Sequence, residues 1–247
     1  MITMRCPRIY TPQPLTPDNT IALDAEAAHH VARVLRMQSG DELILFNGEG
    51  GEYRAAITAV DKKSVHVALG ACDTSERESP LAIHLGIAIS KGERMDWVIQ
   101  KATELGVTQI TPLQTERVEV RLGNERGEKK LAHWRAIAIS ACEQCARNRI
   151  PAIGDIQPLA TWLDVVEADK KFVLHHRSDA RLESDKEKPE SAALLIGPEG
   201  GLSDIEIALA EKKNFAPLRL GPRVMRTETA PIAALSILQF LWGDLRA

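Results

Sequence analysis

Apolar and polar residues follow two different rhythms along this chain. Between Ile21 and about Ala71 the signals are mainly those of β structure. A short helical patch, AEAAHHVARVLRM, leads through Ser39-Gly40 into DELILFNGEGG, and the runs EYRAAITAV and SVHVALG follow, separated by Asp61-Lys62-Lys63. The last two runs mix alternation with β-branched residues, and Gly48, Gly50 and Gly51 supply turn chemistry, which predicts a small barrel-like domain. CDTSERESP, ending at Pro80, carries no apolar period, so residues 1–72 are expected to form the first domain, 73–80 a linker and 81–247 the second.

After Pro80, strands alternate with helices. LAIHLGIAIS is a near-continuous apolar run suited to a strand covered on both faces. In GERMDWVIQKATELG, Met95, Val98, Ile99, Ala102 and Leu105 recur at three- and four-residue spacing, and Gly106 stands where a glycine ends a helix. VTQITPL then completes a βαβ unit. A long helix over 128–146 precedes Pro151, further strands are expected at KFVLHH, AALLIG and PLRLG, and RSDARLESDKEKPES reads as an exposed loop. The second domain is therefore α/β.

Composition narrows the function classes. The 247 residues are 44% hydrophobic and 26% charged, which supports a real core and excludes disordered, collagen-like and coiled-coil chains. Lysine and arginine number 31 against 34 acidic residues, a net charge of −3, so a nucleic-acid partner must be held by local basic clusters. Cys6, Cys72, Cys142 and Cys145 are too sparse for a disulfide framework and fit reduced thiols in the cytoplasm. MITMRCPRIYTPQP lacks the apolar centre of a secretory signal. The most apolar stretch, Ala230 to Trp242, is shorter than the roughly 20 residues of a membrane span and reads as a buried helix. His29-His30 and His175-His176 each point to opposite sides of their elements and make no metal set, so neither a membrane nor a metal is expected.

Chemistry concentrates in three segments. In ALLIGPEGGLSDIE an apolar strand runs into Gly-Pro-Glu-Gly-Gly and then a helix, which Ser203 and Glu206, at capping-box spacing, start at Asp204. Glycines 197, 200 and 201 permit positive φ and close approach of backbone to a ligand, although a tight strand-to-helix turn would use the same residues. The loop is neither the dinucleotide fingerprint nor a P-loop. LRLGPRVMRTETAPIAAL repeats the design: strand, Gly221-Pro222, then Arg223 and Arg226 beside Thr227-Glu228-Thr229, opening an apolar helix in which Thr227 or Thr229 can act as N-cap. Two cations and a carboxylate compressed there suggest a polar ligand or substrate. In ACEQCARNRIP, Cys142 and Cys145 have the spacing of two core thiols on one helical face, while Arg147, Asn148 and Arg149 either reach RNA or simply complement a helix C-terminus. Arg5, Arg8 and Tyr10, with Arg33, Arg36, Lys62 and Lys63, offer further phosphate contacts and a stacking ring.

MRCPRIY, HVARVLRMQSGDEL, KGERMDWVIQKATELGV, ACEQCARNRIP, LLIGPEGGLS and LGPRVMRTETA together resemble the bacterial 16S rRNA uridine-N3 methyltransferases of the SPOUT superfamily, the RsmE family, over essentially the whole chain. The resemblance implies a PUA-like RNA-binding domain followed by an α/β methyltransferase domain with a C-terminal trefoil knot, a topology no periodicity could suggest. It implies S-adenosylmethionine as cofactor, held by His175, Ile196, Gly197, Pro198, Glu199, Gly200, Gly201, Leu220, Gly221, Arg223, Val224, Met225, Arg226, Thr227 and Ala230. His175 matches a family histidine usually followed by proline, where this chain has His176. Arg226 is the expected stabiliser of charge on the uracil, with Glu228 or Glu199 as proton acceptor. Arg5, Arg8, Arg33, Arg36, Arg147, Asn148 and Arg149 are the expected RNA contacts. The expected partners are 16S rRNA in the 30S subunit and a second copy of the chain, with Ile232, Leu235, Phe240 and Leu241 offering apolar surface. Competing readings are a methyltransferase for another RNA site, a non-catalytic ribosome-assembly protein that keeps the fold, and a dinucleotide-binding oxidoreductase, which the absence of GxGxxG disfavours.

Overall fold

A computed structural model describes residues 6–62, 64–118, 124–175 and 188–246. The chain divides into two compact units: Met1–Glu78 with Cys142–Ile150, and Ser79–Ala141 with Pro151–Ala247. The second differs from the contiguous 81–247 expected from composition, because nine residues after the body of the long helix pack with the first unit. Among the described residues, no helix is long and apolar enough to cross a membrane.

The first unit is a five-stranded sheet in the order β1-β3-β4-β5-β2, built from β1 (Arg8–Tyr10), β2 (Thr20–Ala22), β3 (Glu42–Phe46), β4 (Glu52–Val60) and β5 (Val65–Asp73). β1 runs parallel to β3 and the other pairs are antiparallel. Alternation places Leu43 and Leu45, Ile57, and Val65, Val67 and Leu69 in a core with Ile9 and Val31. The short helix α1 (Ala25–His29) starts at Asp24, whose carboxylate accepts from the amides of Glu26 and Ala27, and continues into a π-helical turn, His30–Val34. The returning segment 142–150 is fixed by polar contacts that no periodicity could reveal. Arg8 pairs with Glu52 and donates to Asn148 Oδ1 at 2.7 Å and to the Arg147 carbonyl at 3.1 Å. Arg147 grips Glu78 at 2.5 Å, Asn148 donates to the Ser75 carbonyl, and the Tyr10 amide donates to Glu143.

The second unit is a seven-stranded sheet with the order β12-β10-β11-β6-β7-β8 and β9 also on β7, all pairs parallel. Its strands are β6 (Ala82–Ala88), β7 (Gln109–Gln114), β8 (Ala152–Ile153), β9 (Gln157–Pro158), β10 (Lys170–Leu174), β11 (Ser191–Ile196) and β12 (Ala216–Leu218). Its helices are α2 (Arg94–Glu104), α3 (Asn124–Cys145), α4 (Leu159–Val165), α5 (Asp204–Lys212) and α6 (Thr229–Trp242), the last turn of α3 belonging to the first unit. Met95, Val98, Ile99 and Ala102 are the buried face of α2, at the predicted spacing, and Gly106 follows its C-cap. α3 begins four residues before the predicted start and ends where Ala146 turns to φ +66°. The apolar run β11 is buried on both faces, and Trp162 of α4, Leu202 and Phe215 pack in its cluster.

Candidate active site

In a parallel sheet every carboxyl end lies on the same edge, and ligands bind in crevices along it. Here the adjacent strands β12, β10 and β11 end at Leu218, Leu174 and Ile196, so the loops that follow them, and His175 between, are neighbours by topology. Together they line a cleft of ≈ 400 Å³. All fifteen residues named above as cofactor holders line it, as does Glu228. Arg94, Arg117, Leu174, Leu202, Ile207, Leu218 and Arg219 also line it, and motif reading missed them.

The Gly-Pro-Glu-Gly-Gly loop is locked from several sides. The Gly201 amide donates to the Pro198 carbonyl at 2.8 Å, and Gly201 sits at φ +68°, a conformation that other L-residues rarely adopt. Gly197 has a different reason. A Cβ there would stand 2.9 Å from the Leu202 amide nitrogen, so its strand leaves the sheet where only a bare backbone fits. Gly200 takes neither role; the second positive-φ glycine in the cleft is Gly221. Arg117 donates to the Gly200 carbonyl at 2.9 Å. Beyond the loop, the Ser203–Glu206 capping box starts α5 at Asp204 as predicted, and Glu206 also accepts from the Glu116 amide.

The second loop closes onto the first through Thr227, whose hydroxyl donates to the Gly197 carbonyl at 2.9 Å. Neither Thr227 nor Thr229 caps α6. Glu228 holds the N-cap position without a side-chain hydrogen bond, and the Arg226 carbonyl receives the amides of Thr229 and Ala230.

Four charges meet at the mouth. Glu199 accepts from Arg94 at 2.7 Å and from the Lys91 amide at 3.1 Å. Burial pushes its carboxyl up, but hydrogen bonds from its own amide, from that of Lys91 and from Arg94 outweigh this and hold it below the usual carboxylate range. Glu228 lies 3.8 Å from Arg94 and 3.9 Å from Arg226. The Arg226 side chain is 82% exposed.

The RNA-contact candidates separate into two groups. Arg8, Arg147 and Asn148 are turned inward and engaged within the first unit. Arg33, Arg36 and Arg149 are exposed, Arg36 at φ +57° after the π-helical turn and Arg149 paired with Glu76 at 3.6 Å. Arg5, Lys63 and His176 lie outside the described residues. Cys142 is a core thiol, its Sγ donating to the Arg149 carbonyl, and burial pushes its pKa up to about 12. Leu235 is fully buried within its own unit, whereas Phe240 and Ile237 of the same helix are exposed.

Residues 77–239 match the model of an RNA methyltransferase domain, and residues 23–69 that of an RNA methyltransferase PUA domain. Among curated proteins, the chain is 39% identical over 242 residues to the ribosomal RNA small subunit methyltransferase E of Buchnera aphidicola, covering 98% of each chain. It is 32% identical to the Bacillus subtilis protein of the same name, covering 96% of each. Among solved structures it is similar to a Legionella pneumophila protein in complex with the bound cofactor SAM, with TM-score 0.95, 48% identity and coverage of 98% of this chain and 100% of that one. A ribosomal RNA small subunit methyltransferase E from Neisseria gonorrhoeae bound to S-adenosyl methionine gives TM-score 0.91 and 36% identity, with coverage of 97% and 99%.

Proposed function

The chain belongs to the ribosomal RNA small subunit methyltransferase E family, and from that premise we propose that it transfers the methyl group of S-adenosylmethionine to N3 of a uridine in the decoding region of 16S rRNA. The observation that carries this reading is the convergence of both glycine loops and His175 on one cleft at the carboxyl ends of β12, β10 and β11. The residues fit the cofactor. The volume is in the range of small-molecule sites, and Ile196, Leu218, Leu220 and Met225 offer an apolar wall. When bound, the cofactor supplies an electrophilic sulfonium methyl.

The protein positions the acceptor and manages its charge. Uridine N3 must lose its imino proton, and negative charge grows on the uracil oxygens. Arg226, exposed at the mouth, stabilises that charge. Glu228 accepts the proton in preference to Glu199, because Glu199 is anchored by Arg94 and held below the ordinary carboxylate range, which weakens it as a base. Arg226→Ala is expected to lower kcat by about 10²-fold or more and Glu228→Gln by a similar factor. Transfer that survives Glu228→Gln would remove it from the mechanism.

Arg33, Arg36 and Arg149 contact RNA phosphate. Reversing the charge of Arg33 and Arg36 weakens RNA binding and spares cofactor binding, and equal loss of both would count against the assignment. The chain works in the cytoplasm as a homodimer, with Phe240 and Ile237 of α6 contributing apolar surface. The knot belongs to the same reading, supported by the position of β10 between β11 and β12, which follow it in sequence.

The deciding experiment is methyl transfer from labelled cofactor to unmethylated small subunits and to free 16S rRNA, with product located by reverse-transcription stops, since an N3 methyl blocks Watson–Crick pairing. A single stop in the decoding region is expected. A stop elsewhere would move the acceptor site, and binding of cofactor without incorporation would overturn the reading of this chain as an enzyme.

A further inference from the structure

Arg94 lies outside both glycine loops, in the first turn of α2, yet it is where they meet electrostatically. Its Nη1 donates to Glu199 Oε1 at 2.7 Å, and its Nε stands 3.8 Å from Glu228 Oε2. Glu199 rides on the loop after β11, and Glu228 directly precedes α6. One guanidinium is thus shared by two carboxylates from different walls of the cleft. Without a cation between them, two like charges separate or one takes a proton. Resting on the cofactor reading above, we propose that Arg94 is a positioning residue: it holds Glu199 and Glu228 together at the mouth and so fixes the Gly197–Gly201 loop in the form that receives the cofactor.

The other charged groups facing this point have different engagements. The Lys91 amide shares Glu199 Oε1 with Arg94, Arg117 is bonded to the Gly200 carbonyl after β7, and Arg226 reaches Glu228 at 3.9 Å from an exposed position. His175 lines the same cleft from the end of β10. Arg94 is paired with both carboxylates at once. Its side chain is 44% exposed, so its removal leaves the core intact and its effect is to be sought in the carboxylates rather than in global stability.

The test has two readouts. In ligand-free protein, carbon-13 NMR follows the Glu199 carboxyl through a pH titration, the resonance being assigned with Glu199→Gln. Arg94→Ala should move its transition to higher pH, and Arg94→Lys should restore it in large part. In parallel, calorimetric binding of S-adenosylmethionine near pH 7.5 should weaken about tenfold in Arg94→Ala and less than about threefold in Arg94→Lys. An unmoved Glu199 transition in Arg94→Ala overturns the proposal, as does unchanged cofactor affinity. A lysine variant as weak as alanine, with an unchanged melting temperature, overturns the charge argument and leaves a contact of shape. Failure of the wild-type chain to bind the cofactor would sink the proposed function, while the NMR titration would still decide whether Arg94 governs the carboxylates.

Discussion

Thr227 illustrates how much of the site is decided atom by atom. Its position before an apolar helix suggests an N-cap, but its hydroxyl turns back to the Gly197 carbonyl and staples one loop to the other. Thr227→Val keeps the shape and deletes the donor, so it should cost about 1 kcal/mol and weaken cofactor binding about fivefold, whereas Thr227→Ser should retain most of the affinity. Calorimetric titration of the two variants checks this. Gly197→Ala should be worse than either, because its Cβ meets backbone at 2.9 Å and backbone does not swing aside. The loop residues were legible in the sequence because glycines and polar groups clustered at a strand end make a local pattern. Arg94 and Arg117 were not, since their partners at 199 and 200 lie more than 80 residues away and nothing local marks them.

Whole elements were read with uneven success, for a physical reason. α2 and α6 show several turns of apolar recurrence, and β6 and β11 are continuous apolar runs, so their types followed from pattern alone. The seven-residue α4 and the two-residue strands β8 and β9 are too short to carry a period; packing holds them, with Trp162 donating its indole N–H to His84. The start of α5 was predicted to the residue because it is chemical rather than periodic. Its capping box also ties Glu206 to the Glu116 amide beside the cleft. Ser203→Ala should therefore lower stability by about 1 kcal/mol, read as a drop in melting temperature, and should loosen cofactor binding measurably.

Across the molecule, stability should follow pH through His84. It is partly buried on β6, and this burial pushes its imidazole from 6.5 down to about 4, while Nε2 lies 3.1 Å from the Trp162 indole and 2.8 Å from the Thr111 hydroxyl. Between these pH values the unfolded chain binds a proton that the folded one refuses. Stability should therefore fall as pH drops from 6.5 to about 4, by roughly 3 kcal/mol, and His84→Gln should flatten the melting temperature over that window. A second global prediction concerns the nearly buried Arg147–Glu78 pair. Arg147→Met strands a carboxylate and should cost about 3 kcal/mol or more, yet cofactor binding below the melting temperature should persist, as expected for a structural cation.

The return of residues 142–150 to the first unit has a consequence for synthesis and for inheritance. A nascent chain that has emerged only as far as residue 78 still lacks Asn148 for Arg8, Arg147 for Glu78 and Glu143 for the Tyr10 amide. The unit begun first therefore cannot close until residues 79–141 of its neighbour, and then 142–150, have been translated. For the same reason the first unit could not have been exchanged between ancestors as a single cassette: a recombination point at the composition boundary would carry off five strands and leave their clasp behind.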